Sequence, residues 1–477
     1  MKNNLFLCIA AMVVGSASMM YPTTNLNACS TIKLQKGNEL IYGHNLNEGD
    51  MGVPGMIFIN KRGVFKNGRT FSELFNKDGK KPSEYSWISR YGSVSFNNIG
   101  RDLPDGGMNE AGLYIWEMNE EADYPQNDSL PRLMHANWMQ FVLDNCLTLD
   151  EAISSASAFQ IDGWTWHYFI SDASGDCASL AFIGGKVKVN RGREMPVAGL
   201  FNTPYDREME VLRYYKGFGG LYDIEMNNPN VPRFVKTAAM LRDFDPSRNI
   251  DPSRGAVDYG FEMLKNITVY DEPEWSIIID AKRRNVYYKT RLNPAIKSFS
   301  MDALDFSNNS ATLIQDMDTP KGGDVLDMFQ PYSTQAMKSF LATKLVPLLP
   351  KEMITSGGLT PDEFADRFAC ITDKAELPAN QYFAGVWKTK PAASKDDLEI
   401  EIRLRTNKNA VSGEIVFNNG ESAYPITHIG LLGNRLTFTY KNKRGYLLDV
   451  QATISNNQLS AHLQTTEGDA GTFVLYK

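Results

Sequence analysis

Cys29 lies in Asn27-Ala28-Cys29-Ser30, just beyond an apolar leader. A cut between Ala28 and Cys29 would leave one residue with both a thiol and a free α-amine. A thiolate is a strong nucleophile. An α-amine titrates near roughly pH 7.7–8.0 in short peptides, so it can take the thiol proton close to neutrality. Nucleophile and base then share one residue, an arrangement suited to cleaving amides. The reaction also needs donors for the oxyanion of a tetrahedral intermediate and polar groups that orient the amine. Three runs offer them. Met108-Asn109-Glu110-Ala111-Gly112-Leu113 leads through Tyr114-Ile115-Trp116-Glu117-Met118 to Asn119. Phe201-Asn202-Thr203-Pro204 sets an amide beside a proline turn, and Val231-Pro232-Arg233-Phe234 sets a guanidinium at the start of a helix. Spacing alone also fits a turn role for Asn202 and a solvated surface role for Arg233.

The segment before Cys29 reads as an export signal. Lys2 supplies the positive start, residues 5–14 the apolar core, and Gly15-Ser16-Ala17-Ser18 the small residues before a cleavage site. Cleavage there would leave a short propeptide, residues 19–28, and direct cleavage after Ala28 is the other route. The apolar run is too short to span a bilayer, and no later segment is long enough either. Leu26-Asn27-Ala28-Cys29 loosely matches a lipid-attachment signal. That reading ranks lower, because polar Pro22-Thr23-Thr24-Asn25 separates the apolar core from the cysteine. The expected location is therefore periplasmic or secreted, with lipid anchoring the lesser alternative.

The 477 residues suffice for two or three domains, and 43% hydrophobic with 22% charged residues is ordinary globular composition. Net charge is −7, and loss of residues 1–28 removes Lys2 and no acid, giving −8. No basic cluster suggests nucleic acid. Of five cysteines, Cys8 leaves with the leader, and Cys146, Cys177 and Cys370 read as buried thiols rather than a disulfide framework. The histidines are not paired at metal-ligand spacing and no Cys-x-x-Cys occurs, so neither metal nor cofactor is expected.

Residues 29–320 alternate strand-like and helical stretches. Runs at 30–34 and 39–42 flank Gly37-Asn38 as a hairpin would. Residues 133–147 look helical, and Thr148-Leu149-Asp150-Glu151 has capping-box spacing. Runs at 167–170 and 179–183 form another hairpin, helices are expected over 234–241 and 260–264, and 275–280 pairs with 285–290. The implied class is α+β with mostly antiparallel sheet. Residues 321–384 read as a helical connector, with helical spacing over 337–349 and 360–368. From residue 385 strict alternation takes over, as in Leu398-Glu399-Ile400-Glu401-Ile402-Arg403-Leu404. This predicts a small all-β module, barrel or sandwich, and Phe383-Ala384-Gly385-Val386-Trp387 resembles the opening of lipocalin-like barrels.

The ordered set of motifs resembles the choloylglycine hydrolase family of linear amide hydrolases, which includes bile salt hydrolases and penicillin V acylases, within the N-terminal-nucleophile superfamily. Cys29 matches the family's N-terminal cysteine. Tyr42-Gly43-His44-Asn45-Leu46-Asn47 sits where the family has Gly-Arg-Asn-Leu-Asp, and residues 108–113 match its Met-Asn-Glu-Lys-Gly-Leu. Trp166-His167-Tyr168-Phe169-Ile170-Ser171-Asp172 is similar to Leu-His-Trp-Met-Ile-Ser-Asp, residues 201–204 to Thr-Asn-Ser-Pro, Arg233-Phe234 to Arg-Phe, and Val286-Tyr287-Tyr288 to Ile-Tyr-Tyr-Tyr. The resemblance implies a four-layer αββα sandwich. It implies Cys29 as nucleophile with its own amine as base, Asn202 as side-chain oxyanion donor, Asn119 as backbone donor, and Arg233 as the charge near the thiol.

Two positions depart from the pattern. His44 replaces an arginine, and Asn47 replaces the aspartate that orients the amine. Asn47 can accept a hydrogen bond but brings no charge, and His44 is charged only at lower pH. For His44, a catalytic role and a packed polar role stand level. Asn119 follows the bile salt hydrolase pattern, where penicillin V acylases often have tyrosine. The first expected substrate is a glycine- or taurine-conjugated bile salt. Other N-acyl amides (fatty N-acyl amino acids, acyl homoserine lactones, penicillin V) are the second. A non-catalytic envelope binding protein, using the C-terminal module, is the third. A homo-oligomer is compatible with all three.

Overall fold

The computed structural model describes residues 29–47, 52–79, 85–249, 254–268, 272–373, 377–378, 382–391, 398–407, 410–420, 422–432, 435–455, 458–465 and 468–477. The leader and its cleavage region fall outside them.

Gly37, at φ +62°, reverses the chain between strands Ser30–Lys36 and Glu39–Leu46, a backbone conformation glycine adopts at little cost. These two strands start the first sheet. Its seven strands run in the order Gly199–Leu200, Ser30–Lys36, Glu39–Leu46, Trp275–Asp280, Asn285–Thr290, Lys297–Ser300, Gly323–Asp324. Pairing is antiparallel except at the last step.

The second sheet has nine strands, ordered Lys186–Arg191, Cys177–Ile183, Trp166–Ser171, Tyr114–Asn119, Gly106–Asn109, Ser93–Asn97, Met56–Asn60, Leu313–Asp316, Gln330–Pro331. The sheets meet face to face through aromatic side chains. Tyr42 stacks on Tyr114 at 4.2 Å between ring centroids, and His44 on Trp116 at 3.9 Å. Such pairs add about 0.5–1.5 kcal/mol each beyond the area they bury.

Helices close both outer faces. Val257–Asn266 lies on Glu39–Leu46 and Trp275–Asp280, with Arg233–Asp243 beside it. His135–Asn145 and Leu149–Ser155 cover the second sheet. This is the αββα sandwich. The Thr148 capping box forms as its spacing predicts, the hydroxyl accepting from Glu151 N and the Glu151 carboxylate accepting from Thr148 N. The helix expected over 133–147 is shorter than its apolar pattern. Arg132–Met134 instead pairs as a strand with Gln160–Asp162, and Cys146 is extended. Cys146 and Cys177 are buried thiols, and burial raises both above the ordinary thiol range, Cys146 to about 12. Cys370 is in helix Pro361–Asp373, and its side chain lies outside the described residues.

The connector is helical where expected, at Thr334–Phe340 and Pro361–Asp373, but it is woven into the sandwich. Gly323–Asp324 and Gln330–Pro331 edge the two sheets, and Leu377–Pro378 pairs with Val64–Asn67. Phe364 and Phe368 pack against Phe75 at 5.9 and 5.2 Å.

The C-terminal strands, from Gly385–Lys388 to Gly468–Tyr476, close into an eight-stranded barrel through the pair Lys388↔Tyr476. Alternate residues fill its interior, among them Trp387, Ile402, Ile415, Leu436, Val450, Ile454 and Leu475. Closure removes the free edges an open sheet would expose. Phe65 and Ile88 of the sandwich join the barrel's core, and Phe65 stacks on Tyr382 at 3.6 Å.

Candidate active site

Strand Ser30–Lys36 begins opposite Asn45, so Cys29 and Asn47 lie at the same end of the first hairpin. Both are fully buried. Arg233 reaches this end from its helix. Pro232 holds the N-cap in an extended conformation, and Arg233 is the first helical residue. Its Nη1 donates to the Cys29 carbonyl oxygen at 3.0 Å and to Ser30 Oγ at 2.9 Å, and its Nη2 donates to Asn202 Oδ1 at 3.3 Å. Asn202 Nδ2 in turn donates to the Asn119 carbonyl oxygen at 3.1 Å. The Asn119 side-chain oxygen accepts from Trp166 Nε1 at 2.7 Å. A continuous set of hydrogen bonds therefore joins Cys29, Arg233, Asn202 and Asn119, four of the six residues expected to form the site. They come from four separate stretches of the chain, so the fold assembles them.

His44 belongs to the same face of the first sheet. It lies opposite Thr31, and its Nδ1 is 2.9 Å from Thr31 Oγ1. The hydroxyl also contacts Met118 Sδ at 3.1 Å. His44 Nε2 is buried without a hydrogen-bond partner. Burial holds the imidazole well below its ordinary 6.5, so the ring is neutral. An unsatisfied buried nitrogen costs about 1–3 kcal/mol, and stacking on Trp116 offsets only about 0.5–1.5 kcal/mol. Unlike the arginine at this place in the family the chain resembles, this side chain supplies no charge.

The unfolded chain protonates His44 freely and the folded protein resists it, so stability falls as pH drops below 6.5. Chemical denaturation at pH 7.5 and pH 5 is expected to show wild type losing stability relative to His44→Phe on acidification. Parallel losses would show that His44 contributes no such effect.

Three neighbours were not singled out as site residues by sequence reasoning. His167 is buried one residue beyond Trp166. Its Nε2 donates to the Phe201 carbonyl oxygen, and its Nδ1 lies against the Glu120 carboxylate. Glu208 follows the Asn202-Thr203-Pro204 turn on helix Tyr205–Leu212. Burial pushes its carboxyl up to about 7, against the pull of Arg233, a hydrogen bond from Thr203 and the charge of His167. The sequence signals were slight: His167 within its family-like run, and acids one residue past Asn119 and six past Asn202. Among the described residues no group of three His, Cys, Asp or Glu converges as a metal site, and no helix is long and apolar enough to cross a membrane.

Comparison with known proteins agrees with this architecture. No family model matches the chain. In sequence it is 25% identical over 277 residues to a penicillin V acylase from Pectobacterium atrosepticum, covering 49% of this chain and 73% of that protein. Its structure is similar to penicillin V acylase from Agrobacterium tumefaciens, with a TM-score of 0.52, 23% identity, and coverage of 64% of this chain and 98% of the other. A variant of conjugated bile acid hydrolase from Clostridium perfringens gives a TM-score of 0.47 at 18% identity, covering 62% of this chain and 99% of that one. The sequence relationship, the shared fold and the ordered motifs agree with the resemblance to the choloylglycine hydrolase family of linear amide hydrolases.

Proposed function

We infer that the protein is an exported cysteine amidase whose Cys29, freed at its amine, cleaves N-acyl amides through a thioester acyl-enzyme. The observation that carries this reading is the hydrogen-bonded set joining Cys29 to Arg233, Asn202 and Asn119. The α-amine takes the thiol proton, and the thiolate attacks the carbonyl carbon. The oxyanion is held by Asn202 Nδ2–H and the Asn119 backbone N–H. The ammonium gives its proton to the leaving amine as the C–N bond breaks. Water then loses a proton to the α-amine, attacks the thioester and releases the acid, restoring the thiol.

Conjugated bile salts are the first substrate reading, supported by asparagine at 119. Penicillin V is the second, supported by the names of the sequence relative and of the Agrobacterium structure. Protein beginning at Cys29 should be assayed for glycine or taurine release from conjugated bile salts and for 6-aminopenicillanic acid release from penicillin V. The expected result is faster turnover of the bile salts. Preferential cleavage of penicillin V would make the second reading correct. Silence on both would count against the acyl groups named here.

A further inference from the structure

We propose that His167 and Glu120 form a positioning clamp that sets the distance between the two oxyanion donors. The proposal rests on the amidase reading above. His167 is on strand Trp166–Ser171, directly opposite Met118, and Asn119 is opposite Trp166. Met118 meets Thr31 of the first sheet, so the paired His167 ring projects into the same space between the sheets. There its Nε2 reaches the carbonyl oxygen of Phe201, the residue before Asn202. Its Nδ1 lies against the carboxylate of Glu120, the residue after Asn119. One buried ring thus ties the chain immediately after the first donor to the chain immediately before the second.

Both partners of the ring are acceptors. A carbonyl oxygen carries no hydrogen, and neither does an ionised carboxylate. The ring therefore carries a hydrogen on Nε2, which the Phe201 carbonyl accepts. Glu120 Oε2 packs directly against Nδ1. The carboxylate thereby keeps the ring oriented with an N–H toward Phe201. The arrangement parallels the orienting carboxylate behind a catalytic histidine, but here the histidine acts on backbone. Two further contacts fix the same segment. The Arg233 guanidinium lies 5.0 Å over the Phe201 ring, and Asn202 Nδ2 bonds the Asn119 carbonyl. Precision matters at this place, because a misplacement of about 1 Å at a reacting centre can cost about 10²-fold in rate.

The test is a double-mutant cycle between Glu120→Gln and Asn202→Ala, in protein beginning at Cys29. Glu120→Gln keeps the shape and removes the charge, so it should fold, as thermal melting would verify. The clamp predicts a fall in kcat of about tenfold or more with KM little changed, and unchanged alkylation of Cys29 by iodoacetamide. In the Asn202→Ala background the same change should cost less than about twofold, since the donor it positions is gone. His167→Gln, which retains an N–H for the Phe201 carbonyl, should keep more activity than His167→Leu. Equal losses from Glu120→Gln in both backgrounds, or a rise in KM at constant kcat, would overturn the clamp. Undiminished activity in Cys29→Ala would instead overturn the amidase reading on which it rests.

Discussion

Replacing Cys29 with alanine is expected to abolish amide cleavage while leaving the fold intact. The sulfur is the only atom the reaction takes from this side chain, and among the described residues at the hairpin's end no other thiol is present. Removing a nucleophile of this kind typically costs several orders of magnitude, far more than loss of a single binding contact. The structural cost should be small by comparison. Arg233 donates to the Cys29 carbonyl oxygen and the Ser30 hydroxyl, and those contacts survive the change. The neighbouring pairs Ser30↔Asn45 and Thr31↔His44 are likewise independent of the sulfur. Turnover should therefore vanish with little change in melting temperature. Wild-type turnover by Cys29→Ala would rule out the mechanism.

Asn202→Ala should lower kcat by about 10²–10³, equivalent to about 2.7–4 kcal/mol of lost transition-state stabilisation, with KM little changed. Before substrate enters, Asn202 Nδ2 donates to the Asn119 carbonyl and Oδ1 accepts from Arg233. That pairing orients the amide and keeps its donor satisfied. The alternative role, a turn residue before Pro204, predicts a different outcome. The turn would lose stability, but kcat in the folded fraction would fall only a fewfold. Steady-state kinetics on folded protein separates the two.

The sequence made local structure legible wherever a short period or a turn residue controls it. The Gly37 hairpin, the Thr148 capping box, and the strands around Asp172-Ala173-Ser174-Gly175-Asp176 formed as their patterns required. The alternation in Leu398-Glu399-Ile400-Glu401-Ile402-Arg403-Leu404 marked a half-buried strand, now Ile400–Asn407, but could not distinguish barrel from sandwich. That choice depends on whether Lys388 meets Tyr476, a contact between the module's two ends. Gly323–Asp324 and Gln330–Pro331 were illegible for another reason. Two-residue strands have no periodicity, and Pro331 has no N–H to give, which suits it only to an edge.

The site divides in the same way. Cys29 carried its own signal through its place after the leader, and Asn119, Asn202 and Arg233 became visible through ordered resemblance. Their mutual hydrogen bonds join four distant stretches of the chain and could not be read from spacing. The Glu120–His167 contact was hidden because 47 positions separate the two, and only the register of neighbouring strands brings them together. His44 changed most on inspection. Its type suggested a titrating group near neutral pH, but its burial between Thr31 and Trp116 keeps it neutral.

In the proposed mechanism Cys29 becomes the first residue of the working protein and carries the acyl group during turnover. Protein recovered from the producing cells, mixed briefly with substrate, quenched in acid and mapped by mass spectrometry tests this directly. The expected result is an N-terminal peptide that begins at Cys29 and gains the mass of the acyl group. An N-terminus that retains residues before Cys29, a lipid on that cysteine, or an acyl group on any other residue would contradict it.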